Sequence, residues 1–481
     1  KLHRPKAPGQ RKKEDIMRPF SMRDKLGYTL GDLGCCCTEQ FRAMYLSVFY
    51  TLILQVNPFH IGILMLITKI WDAVNDPIIG AIVDSRKATK GGKFIPWIRA
   101  FSFPMAVLCI LGFVNVSNLA YGLRLAYMFV TYVLYEALYT CVNVPFGTLS
   151  SVMTDDVRHR TALSRYRSLG GTIFMTVIVM VGPLVLYVDN KPVAGRFLML
   201  ASVFALIGLL CLQITCVWCK ERVAVPERPK GEKLNYLHVI KEIAKNKALL
   251  GVMFFSLVGM IGASVVNGLN TYLFKDYFGN VKIMAVSGGL SVLYSLITFA
   301  ITQPLADKLG KKEWCCWGAG FAAAVFALLF FFPIHNPVLF IVINGVCYLG
   351  ASGMQVLIWA MVNDSIDYHE LQTGERNEGI VYSTYSFFRK LASAVSGSLS
   401  SFVLGFIGYN VAEGAVQTAE VSNAIWKSYT GIYVLGYGVA VAILFFVYPL
   451  TKAKTTEMLE QLKARRAEKA SAMETDGDQC P

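Results

Sequence analysis

Charge is scarce in this chain. Only 16% of its 481 residues are Asp, Glu, Lys or Arg, where a soluble protein of this size carries about 25%. Histidine is scarcer still. All six (His3, His60, His159, His238, His335 and His369) fall in tails, in loops or at the edges of apolar runs, which argues against a histidine proton relay inside a membrane. No Walker loop or glycine-rich phosphate cradle occurs, so ATP is not the expected energy source. No paired catalytic constellation with a water-facing cleft is visible, and no enzyme is expected. Connections are short on one side of the apolar runs: Leu54–Pro58, Val116–Ala120 and Pro333–Pro337 leave little room for an ectodomain. Among twelve cysteines, Cys216 and Cys219 have the spacing of half a zinc site without a second pair. The cysteines are read instead as small apolar residues at helix contacts. A cleavable leader is not expected either, because Lys1–Lys25 is basic and polar.

Apolar sequence is what the chain has in quantity. It is 54% hydrophobic, with a mean hydropathy of +0.48. Apolar runs of about 18 residues or more, each able to cross about 30 Å of hydrocarbon, recur along nearly its whole length. Twelve spans are expected, at about 27–54, 60–84, 95–114, 125–151, 161–187, 197–219, 248–274, 284–307, 314–332, 337–364, 379–408 and 428–451. The expected fold is an all-α membrane protein of twelve transmembrane helices in two six-helix pseudo-symmetric bundles, 27–219 and 248–451. A cytoplasmic loop (220–247) joins them, between a basic tail at 1–26 and a second tail at 452–481. Of the 46 Lys and Arg, 33 lie in the tails and alternate loops and 6 in the opposite loops. By the positive-inside rule both termini are cytoplasmic. The net charge of +14 is therefore a topology signal, and the expected partner is the bilayer, with no nucleic acid.

A weak internal repeat accompanies the 6+6 division. After the second span come Asp84, Arg86 and Lys87, then Gly91, Gly92 and Lys93. After the eighth come Asp307, Lys308, Gly310, Lys311 and Lys312. Major facilitator proteins carry an acidic, glycine and basic motif at these two places, and the chain resembles them. Asp155 and Arg158 follow span 4; Asp364 and Arg376 follow span 10. Asp84, Asp155, Arg158, Asp307, Asp364 and Arg376 are read as gating charges that pair across the cytoplasmic face. The alternative is a solvated loop with ordinary charges.

The apolar run from His60 to Val83 is interrupted by Asp72, Asn75 and Asp76, spaced i, i+3, i+4 and so on one helix face. A carboxylate at bilayer depth costs roughly 2.5–3.5 kcal/mol, so two within five residues read as a cation seat. Lys69 can pair with one of them. Span 4 supplies Glu136, Thr140 and Asn143 on one face, with Thr140 a candidate hydroxyl ligand. Pro145 frees a carbonyl there and is expected to kink the helix. A proton shared by the acids, or a salt-bridge network without an ion, are the alternatives. Glu39 and Arg42 of span 1 are expected to pair at i, i+3. Of Arg165 and Arg167 in span 5, at least one is expected to snorkel. Asn143, Arg165, Gln355, Trp359 and Lys390 are taken to line or flank a substrate cavity, where aromatic faces and hydrogen-bonding groups suit a sugar.

Three segments carry a family resemblance: Ile70–Pro77 with Gly80; Tyr139–Gly147; and Asn363–Glu370, followed by Thr373–Arg376 and Glu378–Gly379. Over about Tyr28 to Tyr448 the chain resembles the glycoside–pentoside–hexuronide:cation symporters, the group that includes the melibiose permease. The resemblance implies a twelve-helix major facilitator fold, alternating access, uptake driven by Na+, Li+ or H+, and a monomer in a plasma membrane, here a bacterial inner membrane. It implies no cofactor beyond the coupling ion. It places the cation on Asp72, Asn75, Asp76 and Thr140, with Na+ held chiefly by Asp72 and Asp76 if sodium is the ion, and sets Lys390 on a functional lysine. The sugar positions match less: Cys35 and Cys36 replace a lysine–aspartate pair, Asn143 an aspartate, Gly147 a tryptophan, and Ser164 an arginine that Arg165 adjoins. A small glycoside or related polar solute is the expected substrate. A lysolipid symporter on the same fold and a transport-inactive sensor remain alternatives.

Overall fold

The computed structural model describes residues 18–85, 89, 91–154, 156–223, 246–351, 353–373, 385, 392, 396, 398–412 and 415–477. The described residues up to 223 belong to one compact unit; those at 246–410 and 415–477 belong to another. The first unit contains α1 (Met22–Leu52), α2 (Pro58–Ser85), α3 (Ile95–Leu111), α4 (Tyr121–Met153), α5 (Val157–Leu186) and α6 (Ala194–Trp218). The second contains α7 (Lys247–Tyr272), α8 (Ile283–Leu309), α9 (Lys311–Phe331), α10 (Pro337–Ala351), α11 (Gly353–Thr373), α12 (Ala419–Phe446) and α13 (Lys452–Gly477), with a further helical stretch at 398–406. Helix dominates because hydrocarbon offers no partner to a backbone N–H or C=O, and a helix satisfies both within one segment.

Several expectations are refined. The tenth span, expected at 337–364, is described as helix on both sides of residue 352, in α10 and α11, and runs on to Thr373. The end of α7 widens into a π-turn, Leu273–Tyr277. Residues 452–477, read as a tail, form a helix whose Met458 and Leu462 are buried in the core of the second unit. A small hairpin pairs Tyr187–Val188 with Lys191–Pro192 through Asp189 and Asn190, both at positive φ as a two-residue turn requires. Among the described residues, seven helices are long and apolar enough to cross a membrane on those grounds alone. An eighth, α8, bends by 42° between Ile283–Thr298 and Ala300–Leu309. α1 and α2 are as long as these but carry the embedded charges, and α3 is apolar with 17 residues.

The outer surfaces are apolar: Leu123, Leu206, Leu296, Phe331, Leu435 and Phe446 are all more than half exposed. In water such a surface would aggregate; in a bilayer it meets lipid. Between helices the contacts are close. A Cβ on Gly34 of α1 would lie 2.8 Å from the Gly208 carbonyl of α6, so only glycine permits this approach.

One cap comes from far along the chain. The Glu221 carboxylate, just beyond α6, accepts the N–H groups of Lys93 (2.7 Å), Phe94 and Ile95 (both 2.8 Å) at the start of α3. These are donors that a helix start leaves without partners, and they face a negative charge at the positive end of the helix dipole. Glu221→Ala should cost about 2 kcal/mol, read as a lower thermal midpoint in detergent. An unchanged midpoint would mean that water replaces the carboxylate at no cost.

Candidate functional site: an acid cluster between α1, α2 and α4

The periodicity of α2 separates two surfaces. Ile63, Ile67, Ile70, Trp71 and Ile78 are exposed along one side. Thr68, Lys69, Asp72, Asn75 and Asp76 occupy the other half of the helical circumference, as a repeat of about 3.6 residues dictates. Thr68 and Asn75 are buried, while Asp72 and Asp76 are partly buried. The inward side packs toward α4, which contributes Glu136 and Thr140, both nearly fully buried, and Asn143, partly buried.

Two contacts tie the helices together. The Thr140 hydroxyl donates to Asp76 Oδ1 at 3.0 Å. The Lys69 ammonium donates to Asp72 Oδ2 at 3.2 Å and stands 3.9 Å from Glu136 Oε2. The second oxygen of Asp72, Oδ1, is buried and receives no hydrogen bond, and the Asn75 side-chain nitrogen donates none. A buried anionic oxygen without a donor is costly unless a cation, proton or water completes it. Among the described residues no three His, Cys, Asp or Glu side chains converge as a transition-metal site would need. The donor set of carboxylates, an amide and a hydroxyl suits a hard monovalent cation, which takes oxygen ligands.

α4 is helical throughout Tyr121–Met153, so Pro145 does not interrupt it, although the proline leaves the Cys141 carbonyl without its usual amide donor. The expected pairing of Glu39 with Arg42 is corrected. The Arg42 guanidinium lies 3.7 Å from the ring centre of Tyr135 and 5.0 Å from that of Tyr132. None of its nitrogens makes a hydrogen bond, and Glu39 Oε2 accepts none. Ring faces hold the cation where a carboxylate was expected, a cation–π arrangement strengthened by burial. Snorkelling does not describe Arg167. Its Nε donates to Asp32 Oδ1 at 3.0 Å, and the other Asp32 oxygen takes the Gly171 N–H at 3.0 Å. Its guanidinium also lies 5.3 Å from the Phe146 ring centre, and Phe146 stacks on Tyr28. This Asp32–Arg167 pair joins α1 to α5 beside the segment that includes Asn143. Both residues were visible in the sequence as embedded charges, but no spacing rule connects positions 135 residues apart.

The other candidates are dispersed. Gln355 of α11 is exposed. Asp307 is exposed and accepts from Gln303, one turn back on α8. Asp364 of α11 is buried and bound within its own unit by Lys311 at 2.7 and 2.8 Å. Asp84, Arg158, Arg165 and Trp359 lie on described helices, but their side chains fall outside the described set; Asp155, Arg376 and Lys390 lie outside the described residues altogether. Cys216 and Cys219 are buried, their sulfurs 3.7 Å from the carbonyls of Ile95 and Asp24 respectively, in keeping with their reading as helix-contact residues.

A family model described as MFS/sugar transport protein matches residues 27–452. The uncharacterized symporter YjmB of Bacillus subtilis is 31% identical over 447 residues, covering 92% of this chain and 95% of its own. The isoprimeverose transporter of Lactiplantibacillus pentosus is 29% identical, covering 93% of each. Among solved structures, the nucleoside transporter NupG superposes with a TM-score of 0.60 at 14% identity, over 87% of this chain and 98% of that one. The fold is thus the all-α major facilitator type, as the resemblance to glycoside–pentoside–hexuronide symporters implies; the eleventh span, expected at 379–408, lies mostly outside the described residues. Matched over nearly its whole length, the chain belongs to the MFS/sugar transport protein family, a family of multi-pass membrane transporters.

Proposed function

We propose that the protein is a cation-coupled symporter that imports a small glycoside, oligosaccharide or related polar solute by alternating access. The observation that carries this reading is the bare, buried Asp72 Oδ1 one turn from an Asp76 carboxylate already held by Thr140. Asp72, Asn75, Asp76 and Thr140 hold Na+, Li+ or H+. The solute binds beside them, where Asn143 and the Asp32–Arg167 pair offer an amide, a carboxylate and a forked donor to hydroxyl groups. The names of the relatives support the solute class: one is an isoprimeverose transporter and another a putative glycoside/cation symporter. In this reading the protein works as a monomer in a bacterial plasma membrane with both termini in the cytoplasm, and needs no cofactor beyond the coupling ion. Binding an ion to the α2 acids lowers the cost of bringing a polar solute beside them, a reciprocal coupling of about 1–3 kcal/mol.

The test is uptake into proteoliposomes under imposed Na+, Li+ or H+ gradients, with labelled glycosides, pentosides and uronides. Accumulation above the outside concentration under one gradient, collapsing when that gradient is removed, is the expected outcome. Transport indifferent to all three gradients would reduce the protein to a uniporter and remove the role of the acids.

A further inference from the structure

The Lys69 ammonium stands between acids on two helices, 3.2 Å from Asp72 Oδ2 on α2 and 3.9 Å from Glu136 Oε2 on α4. Only the contact with Asp72 is a hydrogen bond. The Glu136 side chain is 4% exposed, so its charge needs a nearby cation. Arg42 is also near enough to interact with this charge, but its guanidinium lies on the faces of Tyr132 and Tyr135 and bonds to no oxygen. Asp72 is thus half covered: Lys69 holds Oδ2, while Oδ1 has no donor. An ion arriving at Oδ1 meets a like charge hydrogen-bonded to the same carboxylate. The four-carbon stem of lysine can relieve that repulsion, because less than 1 Å of further approach brings the ammonium within hydrogen-bond range of Glu136.

We propose that Lys69 is a tethered cation that trades places with the coupling ion, covering Asp72 in the ion-free carrier and crossing to Glu136 when the ion binds. The proposal rests on the reading of the α2 acids as the ion seat and deepens it. Two adjoining carboxylates without a competitor would hold an ion and not let it go; a cation that returns to Asp72 speeds release. Glu136 is the second stop of the lysine, a role outside the ion's own ligand set. The charged groups around Asp72 that set this balance are Lys69 and Asp76 from α2, Glu136 from α4 and Glu39 from α1.

The experiment is ion-dependent thermal stabilisation of the purified protein, titrated with Na+, Li+ and, by pH, with H+. Ligands of the folded state raise its melting point by mass action. Lys69→Gln should bind the coupling ion at least about tenfold more tightly, and in vesicles should retain exchange while net uptake is lost. Glu136→Gln, which leaves the lysine no second stop, should bind the ion about tenfold more weakly. Lys69→Arg, which keeps the charge, should stay within about threefold of the wild type. Opposite signs from two neighbouring residues cannot come from general loosening, which would weaken both. If Lys69→Gln binds the ion like the wild type or more weakly, or Glu136→Gln is unchanged, the exchange is overturned. If Lys69→Gln is not recovered folded, Glu136→Gln decides alone. A wild type indifferent to all three ions would bring down the ion seat itself, a result separate from either variant's.

Discussion

Asp72→Cys should abolish concentrative uptake while leaving folded protein in the membrane. The side chain is 20% exposed and one of its oxygens is unbonded, so little of the packing depends on it. Lys69, its partner, keeps Glu136 within 3.9 Å after the substitution, so no buried charge is stranded. Stability should fall by no more than about 1 kcal/mol, but the coupling should be lost. Solute affinity measured with saturating ion should drop about 5- to 150-fold, the span of a typical coupling free energy. The measurement is solute binding with and without ion, beside uptake driven by the gradient. Normal accumulation by the variant would remove Asp72 from the ion seat.

The largest expected loss of stability comes from a residue outside the proposed ion seat. Asp24 in the first turn of α1 is fully buried, and its carboxylate binds Arg18 at 2.8 Å and Arg222 at 2.9 Å. It also accepts the Ser21 N–H at 3.0 Å, closing the start of the helix. Arg222 further donates to the Met153 carbonyl at the end of α4, and its own N–H bonds to Val152. One carboxylate thus fastens α1, the end of α4 and the segment after α6. Asp24→Ala leaves two guanidinium groups facing each other without an anion. Removing one partner of a buried pair typically costs 3–5 kcal/mol. Because the arginine side chains keep 34% and 15% of their exposure, about 3 kcal/mol is expected. Arg18→Ala, at the more exposed partner, should cost about 1 kcal/mol. Thermal midpoints in detergent should follow that order; an Asp24→Ala protein as stable as the wild type would show that water reaches the site.

The helices of the first unit were legible because a hydrocarbon-spanning run announces itself. The run at 60–84 became α2 at Pro58–Ser85, and 197–219 became α6 at Ala194–Trp218. The helices overrun the apolar stretches at polar ends, as at 22–26 of α1, where capping and not hydropathy sets the start. Within the site, the α2 face and the Lys69–Asp72 pair follow from 3.6-residue spacing alone. Thr140 was offered as a hydroxyl ligand by the polar face of its helix and set beside Asp76 by the family resemblance, but the bond between them, across 64 residues, is given only by the structure. What stayed hidden were choices among partners. Arg42 had a carboxylate one turn away and took two tyrosine rings; Arg167 had the option of reaching water and took Asp32. Such choices depend on which helix arrives alongside, and periodicity does not record that.

The exposed side of α2 has a last consequence for the proposed ion seat. Ile70 and Trp71 are exposed immediately before Asp72, so where this side meets hydrocarbon an ion held by the α2 acids would be parted from it by one helix, about 10–12 Å thick with its side chains. A charge near a boundary with a poorly polarisable medium is pushed away from it. In the proposed reading the membrane itself would therefore press the ion inward, toward α1 and α4, and serve as the back wall of the seat.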